Sequence, residues 1–123
     1  MNGPRIGTIL RGPDPATDIR RLAPQGFECF QIFFWQTVGT VDLDFMGQEV
    51  RRAAEETGTR VSSLGIYGNV LQGDSKAEET RRGFEALISE ARTFGTDIVG
   101  GLAGRVRDRP IHECIQPWKG CIR

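Results

Sequence analysis

Neither charge sign prevails in this chain, since 16 lysine and arginine residues balance 16 aspartate and glutamate residues. Binding to a phosphate backbone without base recognition needs a cationic excess, so nucleic acid is not an expected partner.

The apolar stretch from Cys29 to Val41 is interrupted by Gln31 and Gln36 and is shorter than the ~20 residues of a membrane span. No apolar segment with a small-residue cleavage site follows the amino terminus. We therefore expect a cytoplasmic protein with no membrane partner.

Cysteine and histidine are scarce. Three cysteines, Cys29, Cys114 and Cys121, make an odd number, and Cys29 lies in an apolar run where a reduced thiol packs as a small hydrophobe. A disulfide framework is therefore not expected. His112, Cys114 and Cys121 are close enough in sequence to suggest soft metal ligands. No fourth ligand and no paired C-x-x-C motif accompanies them. His112 is the single histidine and we expect it to be exposed near the start of a fourth helix, so we predict no metal site and no catalytic residue.

Three well-known nucleotide and hydrolase motifs are also missing. The glycines of the run from Val99 to Gly104 do not fall in the G-x-G-x-x-G register of a dinucleotide-binding turn. No G-x-x-x-x-G-K-[ST] phosphate loop occurs, and no G-x-S-x-G nucleophile elbow. These absences argue against a Rossmann enzyme, a nucleoside triphosphatase and an α/β-hydrolase.

Four apolar, strand-like segments alternate with segments of helical periodicity. The predicted strands lie near residues 6–10, 27–35, 61–67 and 98–102. The first helix is expected to be capped by Asp14 or Thr17. The later helices are predicted from two apolar stripes, Val50, Ala53, Ala54 and Thr57 in one, and Phe84, Leu87, Ile88, Ala91 and Phe94 in the other. A fourth helix is expected from Ile111 onward.

The three helix-to-strand junctions share one local pattern. Gly26, Gly58 and Gly95 each end a helix, and polar residues then lead to an apolar residue that enters the sheet. The spacing of these units, about 30–40 residues, fits one unit of an eight-unit barrel of about 250 residues. We therefore predict an α/β fold made of four consecutive βα units of a parallel sheet, a partial (half) TIM barrel that occupies residues 1–123 as a single domain.

Functional residues are expected in the loops after the strands, because ligands bind at the carboxyl ends of parallel strands. The predicted substrate-binding residues are Trp35, Tyr67, Gly68, Asn69 and Arg105. Tyr67 and Asn69 can hydrogen-bond to hydroxyls, Trp35 can stack on a sugar face, and Arg105 can pair with a phosphate or carboxylate. Structural alternatives stay open for each: a cap on the core for Trp35, a left-handed turn for Asn69 and a solvated loop charge for Arg105.

One segment carries a family resemblance. The run Ser63-Leu64-Gly65-Ile66-Tyr67-Gly68-Asn69-Val70-Leu71 resembles the third-strand LGxYGNPL segment of xylose isomerase-like sugar phosphate isomerases and epimerases. The runs Gly101-Leu102-Ala103-Gly104-Arg105 and Ile6-Gly7-Thr8-Ile9-Leu10 are similar to segments of that family in the same order. The resemblance implies a TIM barrel in which later strands hold a divalent metal through Glu, Asp, His and Glu, with two glutamates moving a proton. Those strands are not in this sequence, and Val70 replaces a frequent proline, so no catalytic or metal-binding residue is carried over.

Two functions from different classes follow as expectations. The first is a sugar phosphate isomerase/epimerase-like protein for a small polyhydroxylated or phosphorylated substrate, catalytically incomplete as this chain, whose extension past Arg123 would bind a divalent metal. The second is a non-catalytic half-barrel that self-associates as a homodimer through its exposed strand edges. A third reading, an open flavodoxin-like sheet, requires a reversal of strand order.

Overall fold

The computed structural model describes residues 3–121 of the chain, with side chains as far as residue 120. The elements in chain order are β1 (Gly7–Leu10), α1 (Pro15–Leu22), β2 (Cys29–Trp35), α2 (Leu43–Thr57), β3 (Arg60–Tyr67), α3 (Ser75–Glu90), β4 (Val99–Gly101) and α4 (Ile115–Cys121). Short 3₁₀ turns at Ala23–Gln25 and Ile111–Cys114 follow α1 and precede α4. Within these described residues, no helix combines the length and apolar character that a membrane crossing requires.

The four strands form one parallel sheet in the order β1-β2-β3-β4. Each strand therefore pairs with the next one along the chain, and a helix connects each pair. This arrangement confirms the predicted α/β class. The sheet has no reversal among its four described strands, so the flavodoxin-like reading is wrong for this part of the chain.

Aspartates begin three of the helices. The carboxylates of Asp14, Asp42 and Asp74 accept the backbone N–H groups of the residues three positions later, at 3.1, 3.0 and 2.9 Å. Each bond satisfies a donor that the first turn of a helix leaves unpaired. Asp14, and not Thr17, is thus the cap of α1.

Left-handed glycines lead out of the helical segments. Gly26, Gly58 and Gly95 have φ values of 103°, 68° and 88°, which residues with a Cβ rarely adopt. The predicted role as a helix end is confirmed at Gly58, which caps α2 directly. Gly26 instead ends the 3₁₀ turn after α1, and Gly95 ends a turn that follows α3, so these two glycines lie a few residues beyond their α-helices.

Three helix predictions need correction. The helix α2 begins at Leu43, well before the stripe that starts at Val50, because Asp42 caps it and Met46 extends its buried face. Ile88 is 57% exposed and so is not part of the buried stripe of α3. Phe94 is buried in a turn that follows α3, and a 3₁₀ turn precedes the short α4.

The core lies between the sheet and one layer of helices. Phe30, Ile32, Leu64 and Ile66 point from the strands into this layer. Helices supply Ile19, Val50 and Leu87 to the same cluster, all of them fully buried. The strand residues of opposite parity form a second face that carries no helix among residues 3–121, and we call it the open face. Ile9, Trp35 and Ile98 on that face are 56%, 56% and 58% exposed.

Candidate functional site

Aromatic and amide side chains meet on the open face of β2 and β3. Trp35 is the register partner of Tyr67, and Phe33 is the partner of Gly65. The Tyr67 hydroxyl donates to Oε1 of Gln31 at 3.3 Å. The rings of Phe33 and Tyr67 lie 5.5 Å apart, centroid to centroid, with an interplanar angle of 50°, a favourable tilted geometry for an aromatic pair.

Gly65 makes room for this arrangement. A Cβ at Gly65 would lie 3.1 Å from the Tyr67 hydroxyl oxygen and 3.2 Å from Nε2 of Gln31. The phenol and the amide therefore lie directly over the bare backbone of β3. A Cβ at this position would require the phenol and the amide to shift by a few tenths of an ångström.

Arg11 extends the group from the neighbouring strand. Its Cζ atom lies 5.8 Å from the centroid of the Phe33 ring, within the range of a cation–π contact. Arg11 directly follows β1, so its guanidinium is held at the carboxyl end of the sheet. We call Arg11, Gln31, Phe33, Trp35 and Tyr67 the open-face cluster.

Asn69 acts as a clasp between two loops. Its Oδ1 accepts the backbone N–H of Arg105 at 2.9 Å and that of Leu71 at 3.1 Å, while its Nδ2 donates to the carbonyl of Arg105 at 2.8 Å. Gly104 has a φ of 83°, and a Cβ there would lie 2.5 Å from Oδ1 of Asn69. The amide thus joins the loop after β3 to the loop after β4, and it engages the backbone of Arg105 rather than its guanidinium.

Gly68 also has a packing role. Any Cβ at Gly68 would overlap the side chain of Thr80 on α3. The buried Thr80 hydroxyl donates to the carbonyl of Gln36 at 2.6 Å. Gln36 has a φ of 63°, so this bond secures an uncommon backbone conformation directly after β2.

The five predicted site residues therefore divide into two groups. Trp35 and Tyr67 belong to the open-face cluster. Gly68, Asn69 and Arg105 shape the loops beside it through backbone contacts, and the Arg105 side chain is exposed.

Sequence reasoning missed three members of the cluster. Gln31 and Phe33 share the parity of Trp35 on β2, so strand alternation could have placed them together. Gln31 is a polar residue inside an apolar run, which marks a face that differs from the core. Arg11 lies in the turn after β1, and its contact with Phe33 depends on the pairing of β1 with β2.

The histidine and cysteine side chains near the carboxyl terminus lie outside the open-face cluster. His112 is exposed beside Glu113, with 4.0 Å between Nε2 and a carboxylate oxygen. The buried Cys114 thiol accepts the N–H of Val106 at 3.2 Å and lies 3.6 Å from the carbonyl of Pro110. The side chain of Cys121 lies outside the described residues. Among the residues that are described, no group of three His, Cys, Asp or Glu residues is placed to hold a metal ion.

A separate cavity of about 510 Å³ lies beside α3 at the edge strand β4. Its apolar lining includes Val70, Phe84, Ile88, Val99, Leu102 and Trp118. None of the five predicted site residues lines it. This cavity is therefore distinct from the open-face cluster.

Comparison of the chain with protein-family models, with curated proteins and with solved structures found no match. The resemblance to xylose isomerase-like proteins therefore stays a prediction.

Proposed function

We propose that the chain is the substrate-binding half of a sugar isomerase/epimerase-like barrel and that it binds a small polyhydroxylated or phosphorylated compound. The open-face cluster is the observation that carries this proposal. It groups the rings of Phe33 and Trp35 with a phenol, an amide and a guanidinium. These groups lie at the edge where parallel βα folds bind ligands. The resemblance of residues 63–71 to the isomerase/epimerase family points in the same direction.

Each member of the cluster has a role that suits a sugar. The half-exposed Trp35 ring offers its face to the C–H groups of a pyranose or an open-chain sugar. Tyr67 and Gln31 can exchange their mutual 3.3 Å hydrogen bond for bonds to ligand hydroxyls. The guanidinium of Arg11 carries several N–H donors in one plane, so it suits a terminal phosphate.

The proposal assigns binding to this chain and no catalytic step. The cluster presents a phenol, an amide, an indole and a guanidinium, whereas a hard divalent cation prefers carboxylate oxygens. These residues therefore do not fit the metal of the isomerase family, and the cluster itself contains no carboxylate or imidazole for acid–base catalysis. We place the protein in the cytoplasm as part of the same proposal, in keeping with the free thiols of Cys29 and Cys114.

Tryptophan fluorescence tests the binding directly. The chain has two tryptophans, so Trp118→Phe leaves Trp35 as the single reporter. Titration with a ketohexose 6-phosphate should change the Trp35 emission and saturate with a Kd of about 1 mM or below, the range usual for metabolites. The unphosphorylated ketose should bind more weakly, and inorganic phosphate or glycerol should give no saturable change.

Variants connect the signal to the cluster. In the Trp118→Phe background, Tyr67→Phe keeps the ring but removes the hydroxyl and should weaken binding about tenfold, as one lost hydrogen bond to a ligand does. Arg11→Gln should abolish the preference for the phosphorylated sugar. Arg105→Gln is the matched control and should leave the affinity unchanged. The absence of a saturable change in emission, or equal effects of Arg11→Gln and Arg105→Gln, would contradict the proposal.

A further inference from the structure

Both outer strands of the sheet present unpaired backbone groups. The carbonyl of Ile6 accepts the N–H of Glu28 at 2.8 Å, just before β1. Backbone groups alternate in direction along a strand, so the peptide groups of Gly7 and Ile9 point away from β2. One edge of the sheet is therefore open for pairing.

The opposite edge has the same character. The carbonyl of Ile98 accepts the N–H of Leu64 at 2.9 Å, which turns the peptide groups of Val99 and Gly101 outward. No strand among residues 3–121 pairs with β1 or β4 on its outer side. Because all four strands are parallel, β1 and β4 have compatible directions for joining two sheets end to end.

The solvent-accessible surface of the chain is large for its mass. It measures 8040 Å², whereas a folded monomer of 13.6 kDa has roughly 6,600 Å². The excess of about 1,500 Å² per chain is shared between the exposed segment 101–113 and the open face, and a standard interface needs only about 800 Å² from each partner. Ile9, Trp35 and Ile98, each more than half exposed on the open face, contribute to this excess.

We propose that a second copy of this chain is the partner of the open face, with β1 of each copy pairing to β4 of the other. The two seams are related by a two-fold axis, and together they close an eight-stranded parallel barrel. Closure removes both edges at once. The balanced charge of the chain, 16 residues of each sign, imposes no net repulsion between copies. This pairing goes beyond the proposed sugar binding because it requires no ligand.

Ile9 supplies a matched pair of test variants. Its side chain is 56% exposed and its N–H points toward the seam, so Ile9→Pro removes a seam donor while a monomer tolerates proline at an edge. Ile9→Ala removes the same apolar contact but keeps the N–H. Sedimentation velocity at micromolar concentration should give the wild type twice the 13.6-kDa chain mass, with Ile9→Ala still dimeric. Ile9→Pro should raise the dimer Kd by about 100-fold, because each of the two seams loses a hydrogen bond.

A second variant covers the case in which Ile9→Pro fails to fold. Ile98→Glu adds a carboxylate to the open face of each copy at the other edge, on an exposed side chain, and it should give a folded monomer by circular dichroism. A wild type of single-chain mass would overturn the proposal. Open-ended oligomers would also overturn it, because they indicate edges that join without closing. Equal dimer Kd values for folded Ile9→Pro and Ile9→Ala would do the same, whatever the outcome of the sugar titration.

Discussion

Asn69 shows how a single side chain can take the place of a strand pairing. Its amide group makes three hydrogen bonds to backbone groups of two loops, and two of these bonds reach Arg105, 36 residues away. The pattern of one acceptor and one donor facing a peptide unit is the pattern of a β-ladder. The carboxyl ends of β3 and β4 are thereby kept at a fixed separation.

Asn69→Ala should lower the free energy of unfolding by about 1–3 kcal/mol, since one partly buried and two exposed hydrogen bonds are lost. Urea denaturation measures this change, and hydrogen exchange at the Leu71 and Arg105 amides should accelerate. Arg105→Ala is the control, because it retains every backbone group that Asn69 binds. If Arg105→Ala destabilised the protein as much as Asn69→Ala, the hydrogen bonds of the Asn69 amide would not be what stabilises the two loops.

At this scale the sequence predicts which residues stand near the ligand edge but not what each one does. Trp35 and Tyr67 could be placed there because they end apolar strands. The role of Asn69 could not be predicted, because its partners lie in a loop that only the pairing of β3 with β4 brings close. Gly68 similarly depends on Thr80, which reaches it from α3.

Helices α1 and α2 are joined by one tertiary ion pair. The guanidinium of Arg20 donates from Nε and Nη2 to the two carboxylate oxygens of Glu56 at 2.8 and 3.3 Å. These hydrogen bonds hold the pKa of Glu56 below its ordinary value. Bonds from the Thr17 hydroxyl and backbone N–H likewise lower the pKa of Asp14 at the start of α1. Both carboxylates therefore favour the folded state in their ionised form.

The stabilising effect of Glu56 should depend on pH with a defined sign. A depressed pKa in the folded state contributes stability above the ordinary glutamate pKa of about 4.3, and this contribution disappears as the pH falls through the folded value. Glu56→Gln should therefore be less stable than the wild type at pH 7, and the difference should shrink progressively as the pH falls below the ordinary glutamate pKa of about 4.3. Thermal melts across this range measure it.

A matched substitution separates the pair from a general effect of charge. Glu79→Gln makes the same change at an exposed position on α3 and should not reproduce the loss of stability at neutral pH. A gap between wild type and Glu56→Gln that persists or widens in acid would contradict the assignment of the pair.

The existence of most elements follows from local chemistry, but their limits do not. The aspartate caps and the left-handed glycines Gly26, Gly58 and Gly95 can be predicted from the sequence, because they depend only on neighbouring residues. The early start of α2 and the exposure of Ile88 depend on which side of each helix meets the sheet. That information is tertiary, and periodicity alone does not contain it.

For the whole molecule, the decisive property is that one face of the sheet is covered and the other is open. Phe30 and Phe33 lie on the same strand, but Phe30 is fully buried under the helices and Phe33 is half-buried on the open face. Hydrophobic stabilisation scales with the area removed from water. Global stability should therefore come mainly from the covered face.

Phe30→Ala and Phe33→Ala make the same substitution on opposite faces. Phe30→Ala should cost about 3–5 kcal/mol because it leaves a cavity in the core. Phe33→Ala should cost roughly half as much or less in dilute protein, because its ring is already partly in contact with water. Chemical denaturation of the two variants, at concentrations below those used to detect the dimer, makes the comparison. Equal costs would mean that the open face is buried in the isolated chain.

The consecutive strand order has a consequence for the way the chain folds during synthesis. Each strand pairs with the strand that precedes it in the sequence. Every new βα unit that leaves the ribosome can therefore pair with a strand that has already been synthesised, and this pairing does not depend on a later segment. Pairing each strand with its predecessor keeps the sequence separation of the contacts as short as a parallel βα unit allows, and domains assemble from the amino terminus as translation proceeds. The sheet can grow by one unit at a time, and its newest edge is always the one that is ready for the next strand.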